Sequence, residues 1–430
     1  MVGKIRIHLK FKPRSLLRNI YMQNDTFISS WNKANRVRLQ DLVVISLCIV
    51  ILPSGVIQGL LGLDQRSTFV LVTPIMLCLF LVKQNDRIHK SIPPLALALA
   101  LTGVVASIIS MAMSQLLMAI SLVVAVLVGF QLFLSLSRAD VLRIVSYFTL
   151  VLLVGGLIGI LYAMVGGSPL FESQVGYRTT YLYLTTFSFA FVGDIIRPSA
   201  IFDEPGAFAM FVTIVTMFND SLRQNRKLNN ALIVLLVFTG SLSGLLTSAL
   251  YLIASHAMRA QLKRNIVIVA ALCAGFFIVP IVAPSNPISQ TLDTFYGERF
   301  VIEDGRLVGD NRSNQVDEFF EIVDDQMLLE GVKNRGIGSQ ISIDQSSNPF
   351  SIIFGYGFII WLPFAILLLW LIFVTFQYRF YSAYSSIGML LLLLQRPYLY
   401  NMYWSIMIMA AIWLIYNVSH KHSGQAFSAR

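Results

Sequence analysis

Apolar runs recur along the chain at close intervals, and the polar stretches between them are short except in two places. A helix that crosses the hydrocarbon core of a bilayer needs about 20 predominantly apolar residues. On that criterion the pattern predicts spans over 42–63, 67–82, 92–112, 115–136, 143–166, 206–219, 229–241, 243–257, 265–283, 351–375, 384–395 and 399–417. The expected fold is all-α and polytopic, an integral membrane protein of about twelve transmembrane helices with one large extracytoplasmic loop. No internal repeat or heptad pattern is present.

The run from Asn229 to His256 decides the topology. Its 28 residues are long for one span and short for two, and Gly240-Ser-Leu-Ser-Gly244 sits in the middle. Arg223, Arg226 and Lys227 precede it, and Arg259, Lys263 and Arg264 follow. A single crossing would put one basic cluster outside, against the cytoplasmic bias of such residues. The expectation is a hairpin of two half-length helices turning at Ser241 to Gly244. Such a turn is tolerated only where protein shields it or it lines a cavity.

Composition strengthens the membrane reading: 56% of residues are hydrophobic, 13% are charged and the mean hydropathy is +0.72, outside the soluble globular range. The net charge of +10 does not point to nucleic acid, because cytoplasmic loops collect Lys and Arg for orientation. Residues 1–41 carry nine Lys or Arg against two Asp, so the N-terminus is expected in the cytoplasm. The first apolar run begins too deep for a cleavable signal. The organisation expected is a basic cytoplasmic segment at 1–41, helices one to nine at 42–283 with an outer loop at 167–205, a large loop at 284–350, helices ten to twelve at 351–417, and a cytoplasmic tail at 418–430. Cys48, Cys78 and Cys273 lie in apolar runs without metal-ligand spacing, and no metal site is expected.

Two outer segments follow from this topology. The first holds Tyr177, Tyr181, Tyr183, Phe187, Phe189 and Phe191, rings suited to an interface-lying helix or an aromatic belt. It ends in Arg197-Pro-Ser-Ala-Ile-Phe-Asp-Glu-Pro-Gly206, where Asp203 is expected to cap the sixth span and Pro205 to occupy its first turn. The second, from about Ala283 to Phe350, carries 12 of the 22 carboxylates but only 5 of the 32 basic residues. Within it Val316, Phe319, Phe320, Val323, Met327 and Leu328 share one helical face. That spacing predicts an amphipathic helix from about Ser313 to Gly331, with Arg312 at its N-terminal edge.

The candidate chemistry is anionic. Arg197 precedes a helix N-terminus, and Arg299, Arg306 and Arg312 recur within 14 residues of the large loop. Guanidinium groups and free helix N–H groups together suit a phosphate. Solvated arginines paired with nearby carboxylates are the plainer account of Arg299 and Arg306. Asp203 has a capping role to fill, which leaves Glu204 to orient an arginine or accept a proton from a hydroxyl. Arg396, at the outer end of the eleventh span, either snorkels to the surface or joins the same site. His8, His89, His420 and His422 are cytoplasmic and His256 lies at an inner end, so this topology excludes a histidine base. No nucleotide-binding or metalloprotease motif occurs.

Three features in order carry a resemblance: Arg197 to Gly206 opening a span, Thr239-Gly-Ser-Leu-Ser-Gly-Leu-Leu246 in a broken helix pair, and Arg312 in the large loop. Gly336-Ile-Gly338, Asn348 and Gly355-Tyr-Gly357 leading into the tenth span complete it. The chain in this respect resembles bacterial O-antigen and capsule polymerases of the Wzy type, relatives of the O-antigen ligases. The resemblance implies a donor glycan on undecaprenyl pyrophosphate, transferred at the outer leaflet of the cytoplasmic membrane to the hydroxyl of an acceptor glycan. The ligases carry a histidine shortly before the asparagine that opens the tenth span. Here the stretch reads Asp344-Gln-Ser-Ser-Asn-Pro-Phe350, which favours polymerase.

On that reading Arg197 and Arg312 hold the pyrophosphate, with Arg299, Arg306, Asn348 and Arg396 as further substrate contacts. Glu204, ahead of Asp344, orients or deprotonates the acceptor. Fixed positive charge near a departing pyrophosphate lowers the barrier without a cofactor. The expected partners are donor and acceptor lipid-linked glycans, membrane lipid and a chain-length regulator, with no nucleic acid. The competing class is a flippase for the same lipids, which should place ionisable residues near the midplane and show related halves.

Overall fold

The fold, taken from a computed structural model, describes residues 37–62, 113–175, 178–192, 195–255, 349–377, 383–401 and 404–428, the pairs 302–303 and 306–307, and scattered positions between 72 and 331. The protein is mostly helical. Among the described residues two helices are long and apolar enough to cross a membrane, α4 (Ala139–Met164) and α9 (Phe358–Gln377). The expected spans at 67–82, 92–112 and 265–283 lie outside the described residues except at single positions.

One helix organises the rest. In α5 (Pro205–Ser221) every residue from Pro205 to Asp220 is buried, because its apolar side chains point in all directions rather than along one stripe. Around it pack α4, α6 (Arg226–Leu236), α7 (Leu242–Ala254), α10 (Ala383–Gln395) and α11 (Ser405–Ser428). Its buried hydroxyls and amides are satisfied by neighbours. Thr213 bonds Thr247 (3.1 Å), Thr216 bonds Tyr384 (2.7 Å), and Asn219 donates to Ser146 (2.9 Å). Helix α3 (Met113–Leu136) runs along α11, with Gly129 in close contact: a Cβ there would lie 2.6 Å from that of Met409.

The helical hairpin forms, but its turn comes earlier than Ser241 to Gly244, and Ser243 and Gly244 already lie within α7. Asn230 pairs with Tyr251 (2.9 Å) and the Ile233 carbonyl with Ser248 (3.1 Å), so α6 and α7 run antiparallel. A short 3-10 turn (Val237–Thr239) and Gly240, at φ +58°, reverse the chain. Glycine takes this left-handed backbone without steric penalty.

Several elements differ from expectation. The first span is not one helix: α1 (Leu39–Ile45) continues as a π-helical stretch (Ser46–Ile51), breaks at Pro53, and resumes as α2 (Gly55–Leu60). Proline cannot donate to the helical ladder, and Gln58 restores the balance by donating to the carbonyls of Ile51 (3.1 Å) and Leu52 (2.7 Å). The tenth span begins later than 351, because α8 (Ser351–Tyr356) ends at Gly357, φ +88°, before α9 starts. The twelfth begins at Ser405, after a 3-10 turn (Tyr398–Tyr400).

The segment at 166–205 forms strands rather than a helix, and the protein is not all-α. Strands β1 (Phe171–Val175), β2 (Arg178–Tyr183) and β3 (Thr186–Ser188) form an antiparallel sheet, with Glu172 opposite Tyr181 and Leu182 opposite Phe187. Strands β4 (Ala190–Val192) and β5 (Ile195–Arg197) form a second hairpin. The aromatic rings at 181, 183, 187, 189 and 191 fall at every second position, the period of a strand. Further on, β6 (Ile302–Glu303) and β7 (Arg306–Leu307) pair around Asp304-Gly305, a dipeptide that favours tight hairpins. The amphipathic helix expected over Ser313 to Gly331 lies mostly outside the described residues. It is not unbroken: Val323 and Asp324 are non-helical, and helical Leu328 donates back to the Asp324 carbonyl (3.0 Å).

Candidate functional site

The sheets sink into one end of the bundle because α4 makes room for them. Gly155, Gly156 and Gly159 line the contact: Thr185 donates to the Gly155 carbonyl (2.6 Å), and a Cβ on Gly156 would meet that of Pro198 at 3.1 Å. A Cβ on Gly159 would lie 2.8 Å from the Tyr183 carbonyl. The Gly155-Gly-Leu-Ile-Gly159 spacing is the sequence signal for this close approach, and it is absent from the expectations above.

Hydrogen bonds pin the descending strand. Ser188 donates to the Arg197 carbonyl (2.8 Å), the Ser199 amide to Phe187 (2.8 Å), and the Phe187 amide to Ala200 (3.1 Å). Ala200 holds φ +53°, with its N–H donating to Thr186 (3.0 Å). Below it Phe202, fully buried, packs on Phe208, Phe211 and Trp404. The loop into α5 is thereby fixed from three sides.

This delivers Arg197 to the tip of the α6–α7 hairpin. A Cβ on Gly240 would lie 3.4 Å from Arg197 Cγ and 3.5 Å from its Nε. The tip carries three buried hydroxyls: Thr239 accepts from the Ser241 amide (3.3 Å), and Ser241 and Ser243 bond each other (2.7 Å). Ser241 occupies the N-cap of α7, but its side chain does not cap it.

The cap of α5 is Glu204, not Asp203. Glu204 occupies the N-cap with extended backbone (φ −152°, ψ 154°), and Pro205 follows in the first turn as expected. The carboxylate does not cap the helix; it forms an ion pair with Arg396 Nη1. Tyr398 closes the triangle, its Oη accepting from Arg396 Nη1 (2.7 Å) and donating to Glu204 Oε1 (2.8 Å). Arg396 does not snorkel: it is only 8% exposed, because Glu204 and Tyr398 supply the charge and acceptor that water would provide. Its guanidinium also lies 5.5 Å from the Tyr398 ring centre, and Tyr398 stacks on Trp404 (6.1 Å). Tyr398 is the site residue that the expectations lack, because nothing in Arg396-Pro-Tyr398 foretells a partner 194 positions away.

The rest of Arg396 turns to the first turn of α5. A Cβ on Gly206 would sit 2.7 Å from Cζ and 2.8 Å from Nε, so a larger residue there would push the guanidinium aside. The Nε is buried and has no acceptor among the described residues. Pro205 has no N–H, and the first intrahelical bond comes from the Phe208 amide to Glu204 (3.1 Å). The Gly206 and Ala207 amides are then the helix's orphan donors.

The two cationic corners lie at the same height. Helices α5 and α7 are parallel, since each is antiparallel to α6, and Thr213 touches Thr247. Seven residues back from Thr213 is Gly206, and six back from Thr247 is Ser241, rises of about 10 and 9 Å. Both helix N-termini, each equivalent to roughly half a positive charge, therefore meet an arginine at one level. The Asn219–Ser146 contact sets Gly159 of α4 opposite Gly206, and α4 continues to Met164, about 8 Å further, with the sheets packed against it. Two helix N-termini and two arginines at one end of the bundle make a donor-rich arrangement, chemically suited to an anion.

Of the other sequence candidates, Arg306 lies on β7 with its backbone paired to Glu303. Arg299, Arg312, Asp344, Asn348 and Gly336 to Gly338 lie outside the described residues. The large loop touches the bundle at Gly331, φ +77°, where a Cβ would lie 2.6 Å from the Gly355 carbonyl carbon. Among the described residues no His, Cys, Asp and Glu cluster suits a metal. No protein-family model, curated protein or solved structure matches the chain.

Proposed function

We propose that this is a twelve-span protein of the bacterial cytoplasmic membrane, a Wzy-type glycosyltransferase that polymerises undecaprenyl-pyrophosphate-linked oligosaccharide units at the outer leaflet. One observation carries the proposal: two parallel helix N-termini, level with each other and each faced by an arginine, at one end of the bundle. Oriented helix amides and fixed guanidinium charge favour a pyrophosphate, and favour it more as negative charge grows on the leaving group.

The membrane reading is supported by α4 and α9. Their exposed stripes are apolar: Ile144, Tyr147, Val151, Val154, Ile158 and Leu161 on one, and Phe358, Leu362, Ile366, Leu369, Phe373 and Phe376 on the other. A helix in water keeps its exposed face polar. The end with the two arginines carries the sheets, which the charge pattern assigns to the outside.

In the proposed reaction the acceptor hydroxyl attacks the anomeric carbon and inverts it, the bond to the pyrophosphate oxygen breaks, and the hydroxyl proton passes to the departing undecaprenyl pyrophosphate. Arg197 and Arg396 bind the pyrophosphate from opposite corners, and Arg312 of the large loop completes the charge. Glu204 is best assigned to orienting Arg396. A carboxylate that accepts from both a guanidinium and a phenol is a committed acceptor, which disfavours it as the base.

The test is purified protein with a lipid-linked repeat unit. A ladder of longer glycans is expected, lost in Arg197→Ala and Arg312→Ala proteins that still insert. Normal chain lengths in both variants would overturn the assignment, and transfer only to a lipid A core would make the protein a ligase. A flippase is the second reading, because the half-length α6–α7 pair also suits transporters. It predicts translocation of the lipid with no new glycosidic bond.

A further inference from the structure

The α6–α7 hairpin stops short. Helix α7 has 13 residues and α6 with its 3-10 turn 14, each about 20 Å long against a hydrocarbon core of about 30 Å. One side of the hairpin packs on α4, α5 and α10. The other is exposed and apolar: Val234 on α6, Phe238 on the 3-10 turn, and Leu242, Leu246 and Ile253 on α7. Phe238 and Leu242, 48% and 42% exposed, flank the tip. The Arg197 side chain lies against Gly240 at that tip.

An apolar stripe that ends at an arginine beside a helix N-terminus matches a single kind of molecule, a hydrocarbon chain with an anionic head. We propose that the outer face of this hairpin is the track for the hydrocarbon tail of the phosphate-bearing lipid, and that the head group reaches Arg197 sideways, past the hairpin tip. This rests on the anion-site reading above and adds the route to it. Sideways entry lets the tail stay in the bilayer throughout, so no apolar surface is transferred through water as the head moves from the leaflet to Arg197. It also explains why the hairpin is short: a full-length pair would wall off the site.

The test uses the full-length protein in vesicles of neutral phospholipid with a polyprenyl pyrophosphate whose tail bears a diazirine, followed by peptide mapping after irradiation. Labelling is expected at Phe238, Leu242 and Leu246, falling about tenfold or more in Arg197→Ala, the loss of one charged phosphate contact. Labelling of α9 at Leu369, Phe373 and Phe376 should be weaker and indifferent to Arg197. Equal labelling of hairpin and α9, unchanged by Arg197→Ala, would mean bulk lipid only and overturn the track. Chain elongation measured in the same vesicles separates the two ideas: a ladder without hairpin labelling refutes the track and leaves the enzyme reading standing.

Discussion

Glu204 and Arg396 form a mostly buried ion pair between residues 192 positions apart, joining the N-cap of α5 to the end of α10. Removing one member takes the opposite charge from the other and leaves it bonded to Tyr398, which costs up to about 3–5 kcal/mol. Arg396→Met alone should therefore destabilise the protein strongly. Arg396→Met with Glu204→Gln should recover much of the loss. Thermal unfolding in detergent across the double-mutant cycle checks this, and additive single effects would mean that the pair is not coupled.

Gly206 tests whether Arg396 must rest on the first turn of α5. The Cβ of Gly206→Ala would lie 2.7 Å from Arg396 Cζ, so the guanidinium must move while the helix gains a better former. Insertion and folding should be close to wild type, with elongation reduced at least tenfold. Wild-type elongation by Gly206→Ala would remove Arg396 from the site.

How much of this was legible in the sequence differs from element to element. The α6–α7 hairpin was, because basic residues on both sides of an over-long apolar run leave one arrangement, and Gly240 marks the turn. The strands at 171–197 were legible in principle, since the aromatic positions alternate with a period of two, yet aromatic rings at a membrane boundary first suggest a belt. The break at Pro53 was visible as a proline, but its repair by Gln58 depends on a side chain folding back six residues. The Glu204–Arg396–Tyr398 triangle was not legible. A charged residue at the end of an apolar run reads as a snorkelling group until its partner is known, and that partner comes from a distant helix.

On the proposed topology the strands at 171–197 predict a labelling pattern that a helix would not give. In a cysteine-free background, Leu184→Cys, at a turn and 46% exposed, should react with a membrane-impermeant maleimide added from outside, whereas Ile196→Cys, 2% exposed, should not. Equal reactivity would contradict the burial of β5, and protection of both would place this end of the bundle elsewhere.

Gly240 separates backbone cost from crowding. Its φ of +58° penalises an ordinary side chain by about 1–2 kcal/mol, while a Cβ there would meet Arg197 Cγ at 3.4 Å, an ordinary contact. Asparagine tolerates the left-handed region better than alanine does. Gly240→Ala should therefore lower stability by about 1 kcal/mol, and Gly240→Asn by less, although asparagine is the larger residue. Chemical denaturation of both variants in detergent checks the order. If asparagine proves the more damaging, space beside Arg197 rather than backbone conformation requires glycine at the tip.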